Sequence, residues 1–257
     1  MPKVQIIGIL LLLFAAVASL IGLKTASYLF VTCVGFSALF DIASTYLRRK
    51  KFFIPYAAIV TGLILSLIID PEASWSQILV ICATAMGVKN FARFGNRHVL
   101  NPAASGLFFG WMFFGLNPSW WGATLYSSGE SLFSNVLIYA LILPIAIISC
   151  YRLGRYNTVL SYILFFTLLI GFVTSSFSPS AIIRTIINPG LLFYSLLMLP
   201  EPMTSPVNKK RQIMYGSTVA VVNALLVYIT FNYPVGNFPD SSLVALFIGN
   251  ILFFKYR

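Results

Sequence analysis

Apolar residues fall in long blocks separated by Pro, Gly, Asn and charge, with neither the single-face spacing of a soluble helix nor the alternation of a half-buried strand. The blocks lie near residues 4–23, 25–47, 54–69, 77–92, 99–116, 132–150, 157–174, 186–199, 212–231 and 239–254. About 20 apolar residues cross the hydrocarbon layer of a bilayer. The pattern therefore predicts an all-α membrane protein with about ten transmembrane helices, residues 1–257 forming a single transmembrane domain. Several blocks are shorter than a comfortable span and carry Pro or Gly at one end, which predicts broken or tilted helices there.

Segments of the two halves echo each other. Residues 63–74, Leu-Ile-Leu-Ser-Leu-Ile-Ile-Asp-Pro-Glu-Ala-Ser, are answered by 194–205, Tyr-Ser-Leu-Leu-Met-Leu-Pro-Glu-Pro-Met-Thr-Ser, and Val99 to Ser105 more loosely by Asn237 to Ser242. The third block thus pairs with the eighth and the fifth with the tenth, giving repeat halves 1–116 and 132–257. With five crossings in each half, the second is inverted in the membrane, and such repeats commonly hold a ligand near the midplane where helices are interrupted.

Composition agrees: 59% of residues are hydrophobic and only 9% charged, with a mean hydropathy of +0.90, which excludes an ordinary soluble domain. The net charge of +11 would suggest nucleic acid in a soluble chain, but the cations fall between apolar blocks, as in cytoplasmic loops. With the N-terminus inside, fifteen of the seventeen Lys and Arg residues take the inner side and only Lys24 and Arg184 the outer. Both termini are then expected in the cytoplasm. Lys3 followed by an apolar run ending in Ala16-Val17-Ala18 also fits a cleavable signal peptide, although losing that helix would break the repeat. Cys33, Cys82 and Cys150 have neither disulfide-framework nor metal-ligand spacing.

The chain has one His and no phosphate-binding or hydrolase motif. Asn101-Pro102-Ala103-Ala104-Ser105-Gly106 opens the fifth block. Its Pro removes a backbone donor and its small residues admit a flat ring or another helix; Gly106 and Gly110 alone read as helix packing. His98 to Ala104 resembles the H-x-x-N-P-A-A segment of the RnfD/NqrB family, membrane components of the Rnf electron-transport complex and of the sodium-pumping NADH:quinone reductase. Leu199 to Pro206 is similar to that family's T-D-P-V-T-x-P stretch. Tyr233 to Asp240, leading into Gly249-Asn250, resembles its closing Y-P-D-G…A-N pattern.

The resemblance implies two inverted five-helix repeats related to urea and ammonium channels, in a prokaryotic inner membrane. It also implies flavin-dependent electron transfer. Family members carry FMN on a Thr of a D-G-x-S-G-A-T-like outer loop and bind a second flavin, riboflavin, non-covalently. The counterpart here is Gly122-Ala123-Thr124, with Pro118, Ser119 and Trp121 where the family has Asp, Gly and Ser. Thr124 otherwise sits in an interfacial loop with Trp120 and Trp121 as headgroup-level anchors.

Asn101 and backbone groups freed by Pro102, with Ala103 and Ala104 beside them, are the candidate flavin wall. His98 contacts a flavin phosphate or dinucleotide or caps an inner loop, and Glu201 and Thr204 rank as cofactor contacts because they stand in the repeated motif. Asp41 and Asp240 mark a candidate ion path, Asp41 alternatively forming an interfacial pair with Arg48. The expected function is a flavin-binding subunit passing electrons with other subunits of a membrane complex or a soluble flavin/iron–sulfur reductase. The alternative is a small-solute channel on the same scaffold.

Overall fold

The computed structural model describes residues 2–50, 52–123, 143–144, 146–233 and 236–256. Thr124, and most of the block at 132–150, lie outside them.

Helices occupy the remaining apolar blocks. In the first half these are α1 (Pro2–Val17, extended by a 3-10 turn Ala18–Ile21), α2 (Leu23–Arg49), α3 (Tyr56–Ile68), α4 (Trp75–Phe91) and α5 (Pro102–Phe114). A two-residue hairpin, β1 (Arg93–Phe94) against β2 (Arg97–His98), pairs Arg93 with His98 just ahead of α5. In the second half follow α6 (Tyr156–Val173), α7 (Pro179–Ile186), α8 (Pro189–Phe193, continued by a π-helical turn Tyr194–Met198), α9 (Lys209–Asn232) and α10 (Ser241–Phe253).

Among the described residues, four helices are long and apolar enough to cross a membrane: α1 with its 3-10 turn, α2, α6 and α9. Helix α7 together with α8 and its π turn makes a fifth, bent by 48°. The shorter apolar helices α3, α5 and α10 have 13 residues each, which at 1.5 Å per residue spans about 20 Å of a hydrocarbon core of about 30 Å. The molecule is a helical membrane protein that combines helices long enough to span with shorter apolar ones. Helix α7, with no buried residue, was not anticipated in the sequence.

Caps set several boundaries. Ser74 and Gln77 form a reciprocal capping box at α4. Asn101, Asn188 and Asp240 accept backbone N–H groups at the starts of α5, α8 and α10, and Pro102 and Pro189 stand where no donor is lost.

Two helices organise the packing. Helix α4 buries Ile78, Ile81, Cys82, Ala85, Met86, Lys89 and Asn90, and α9 buries Gln212, Tyr215, Gly216, Val219, Ala220, Asn223 and Ala224, each a single stripe at helical spacing. Helix α4 lies between α2 and α5; α9 lies between α6 and α10. Small residues bring the backbones together: a Cβ on Gly106 would stand 2.7 Å from the Ile81 carbonyl oxygen, and one on Gly216 would run into the Thr158 carbonyl and the Ser161 hydroxyl. Helices α5 and α10 also touch, joining the two sets.

Candidate functional site

The end of the bundle carrying β1, β2 and most basic residues gathers several of the anticipated polar side chains. His98 Nε2 lies 2.8 Å from Glu201 Oε1, and Thr204 Oγ1 donates to Glu201 Oε2 at 3.0 Å. Ser205 Oγ donates to the Glu201 carbonyl at 2.8 Å and accepts from Arg155 Nε at 2.8 Å. Arg155 is buried; burial, then the nearby positive charge of Arg97, draws its guanidinium below the ordinary arginine value. His98 is therefore a partner of Glu201, 103 residues away.

Asn101 is committed at both ends of its amide. Its Oδ1 accepts from Ala104 N at 3.0 Å and its Nδ2 donates to the Met198 carbonyl at 3.2 Å. That carbonyl ends the π turn, where no helical donor follows to satisfy it. Pro102, Ala103 and Ala104 are buried. The Asn-Pro-Ala-Ala stretch thus clamps the start of α5 to the end of the α8 segment, and Gly106 and Gly110 face Ile81 of α4.

Asp41 is buried at 2% exposure and pairs with Lys89 at 2.7 Å while accepting from Asn90 Nδ2 at 3.0 Å. Arg48, the partner considered from sequence spacing, instead donates to the carbonyl and side-chain oxygens of Asn90 at 2.9 and 2.7 Å. The spacing of seven places Arg48 on the same helix, but Lys89 reaches the carboxylate first from the neighbouring α4. Each Asp41 oxygen thus accepts one bond from α4, and Asp41 also lines a cavity at this end of the bundle.

The opposite end holds a cavity of about 650 Å³ between α6, α7, α8, α9 and the start of α10, within the range of small-molecule sites. Its walls are aromatic. Tyr162 stacks on Phe166 at 5.6 Å with the rings 10° from parallel, and the Tyr194 ring lies 5.2 Å from that of Tyr162. Trp120 and Arg184 also line the cavity.

Asn223 Nδ2 donates to the Tyr162 hydroxyl at 2.7 Å, but Asn223 Oδ1 and the Tyr194 hydroxyl are buried without hydrogen-bond partners among the described residues. An unpaired buried polar group costs about 1–3 kcal/mol, and both of these belong to residues that line the cavity. Asp240 belongs to this end: its Oδ1 caps α10 through the Ser242 and Leu243 N–H groups, and its Oδ2 accepts from Trp120 Nε1 at 2.9 Å.

The segment 117–123 is tied to the end of α3 by Ser119 N and Gly122 N, which donate to the Ile68 and Leu67 carbonyls at 3.0 and 2.8 Å. Trp120 takes a left-handed backbone conformation, φ 54°, uncommon for a bulky residue. Trp121 is 5% exposed and packs edge-on against Phe14 at 5.9 Å, so it is a core residue and not a headgroup anchor: the turn at Trp120 folds it inward.

The sequence reading missed Tyr162, Tyr194 and Asn223. The available signal was Asn223, an amide inside the otherwise apolar stretch from Val219 to Val227; nothing local links it to the two tyrosines. Among the described residues no group of three or more His, Cys, Asp or Glu side chains could hold a metal ion. No protein-family model matches the chain, and no curated protein matches it significantly.

Proposed function

We propose that the chain is a flavin-binding integral-membrane component of an ion-coupled electron-transport complex, of the RnfD/NqrB kind. In this reading ten spans form two inverted five-helix halves in a prokaryotic inner membrane, both termini in the cytoplasm. The parallel packing of α2–α4–α5 and α6–α9–α10 supports the repeat. So does the shared turn after the echoed motifs, in which Ala73 N donates to the Asp70 carbonyl and Thr204 N to the Glu201 carbonyl, at 3.0 and 3.1 Å.

The observation that supports the flavin assignment is the aromatic cavity whose lining includes Tyr194 and Asn223, each carrying a buried polar atom without a partner among the described residues. An isoalloxazine ring is flat and largely apolar, and one edge presents carbonyl acceptors flanking an N–H donor. Tyrosine and phenylalanine walls suit its faces; the Tyr194 hydroxyl would serve as a donor and Asn223 Oδ1 as an acceptor for its polar edge. Arg184 supplies positive charge at the cavity for an anionic reduced ring or a phosphate. A bound flavin supplies one- and two-electron redox chemistry, while the protein positions it and tunes its potential.

Thr124 follows Trp120 by four residues, a separation an extended chain covers in at most about 14 Å. An FMN phosphate esterified to Thr124 is thereby tethered near the cavity, and a non-covalent riboflavin occupies the same walls where the ester is absent. Electrons reach it from partner proteins of the complex or a soluble flavin/iron–sulfur reductase. The purified protein is expected to be yellow. If the phosphoester forms, denatured wild type fluoresces in a gel under ultraviolet light and Thr124→Ala does not; fluorescence persisting in Thr124→Ala places the bond elsewhere. A colourless protein that conducts a small solute in liposomes makes it a channel instead.

A further inference from the structure

A second cavity, of about 450 Å³, opens at the end of the bundle that carries the basic loops, between α1, α2, α3 and the hairpin. Its charge is one-sided. Lys3, Arg48, Lys89 and Arg93 line it against the carboxylate of Asp41, and that carboxylate is already held by Lys89 and Asn90. The guanidinium of Arg48 is fixed by three neutral oxygens: Nε donates to the Ser44 carbonyl at 3.1 Å, and Nη1 and Nη2 to the two oxygens of Asn90. Arg93 donates to the Asn96 carbonyl, and Lys3 forms no ion pair among the described residues.

Carbonyl and amide oxygens orient a cation without neutralising it, so Arg48 and Arg93 keep their charge for a ligand. Three of the five N–H groups of Arg48 are used in this way, and the remaining two, with those of Arg93, can donate to the oxygens of phosphate. We propose that this cavity is a binding site for a phosphate ester. Its rim is apolar, with Phe52, Phe53 and Ile54 exposed, so it provides hydrocarbon contact beside the cationic floor. That combination suits the headgroup of an anionic phospholipid whose chains lie along α2 and α3; a water-soluble phosphate ester uses the floor alone. The site is at the opposite end of the molecule from the aromatic cavity and stands whether or not a flavin binds there.

The test uses the full chain in detergent, with native mass spectrometry to count retained lipid and a thermal-unfolding titration with inorganic phosphate. Retention of added phosphatidylglycerol over phosphatidylcholine identifies a lipid headgroup; a saturable rise in Tm with inorganic phosphate identifies a soluble phosphate. Each cation near an anionic headgroup contributes about 1 kcal/mol, so Lys3→Gln/Arg48→Gln weakens either ligand roughly thirtyfold. Lys209→Gln/Lys210→Gln, which removes the same charge from exposed positions outside the cavity, leaves binding unchanged. Equal weakening in both double variants reduces the effect to general surface charge and overturns the proposal, as does failure of wild type to bind either ligand. If the first double variant does not fold, Lys3→Gln alone, at an exposed residue, must still weaken binding severalfold while Lys209→Gln does not.

Discussion

At the scale of single residues, buried polar groups differ in how fully they are engaged. Asn101 uses both ends of its amide, and Asp41 both oxygens. The Tyr194 hydroxyl and Asn223 Oδ1 find no partner among the described residues. This contrast yields opposite signs for one substitution. Tyr194→Phe removes an unsatisfied buried hydroxyl, so the flavin-free protein keeps or gains stability, by up to about 1 kcal/mol. The same change deletes a donor to the ring and weakens flavin roughly fivefold. Thermal unfolding of flavin-free protein and a riboflavin fluorescence titration read the two effects; loss of stability with unchanged affinity would make Tyr194 a packing residue.

Single residues were also the hardest scale to read in the sequence. The His98-x-x-Asn101-Pro102 and Glu201-x-x-Thr204 motifs stood out because polar groups beside Pro are rare in apolar sequence, and the structure joins them through the His98–Glu201 contact. Tyr162 and Tyr194 are ordinary members of apolar blocks, 32 positions apart, and only tertiary packing brings their rings together. Lys89 displaced Arg48 as the partner of Asp41 for the same reason: it comes from another helix.

At the scale of elements, the apolar blocks gave helix positions to within a few residues because lipid exposure makes every face apolar and the breaks between blocks conspicuous. The exception is α7, a short helix with no buried residue; the sequence Ser-Pro-Ser at 178–180 marks its start, but no apolar run announces it. Close helix contacts obey the small-residue rule of membrane packing, and they are testable by contrast. A methyl at Gly216 collides with the Thr158 carbonyl, whereas one at Gly8 on α1 meets nothing within 4 Å. Gly216→Ala therefore prises α9 from α6 and destabilises by about 1–3 kcal/mol. Gly8→Ala lies in open space and gains up to about 1 kcal/mol of helix propensity. Thermal midpoints in detergent measure both, and equal shifts would contradict the packing described for α6 and α9.

At the scale of the whole molecule, long spans surround short helices whose ends meet partners from elsewhere in the chain. The end of the α8 segment meets Asn101, and the end of α3 meets the 119–122 turn. The sequence echoes pointed to these interruptions, since Pro and Asn at a block's edge have few other uses in lipid. The aromatic cavity was not legible, because its walls come from five helices and the turn at Trp120, and its polar groups are sparse. The most direct measurement is an experimental density map of the wild-type chain purified in nanodiscs. The account predicts a flat tricyclic density in equimolar amount in the aromatic cavity lined by Tyr162, Tyr194 and Trp120, with its polar edge toward Asn223. An empty aromatic cavity in a colourless preparation, or a flavin seated at the basic end instead, would contradict it.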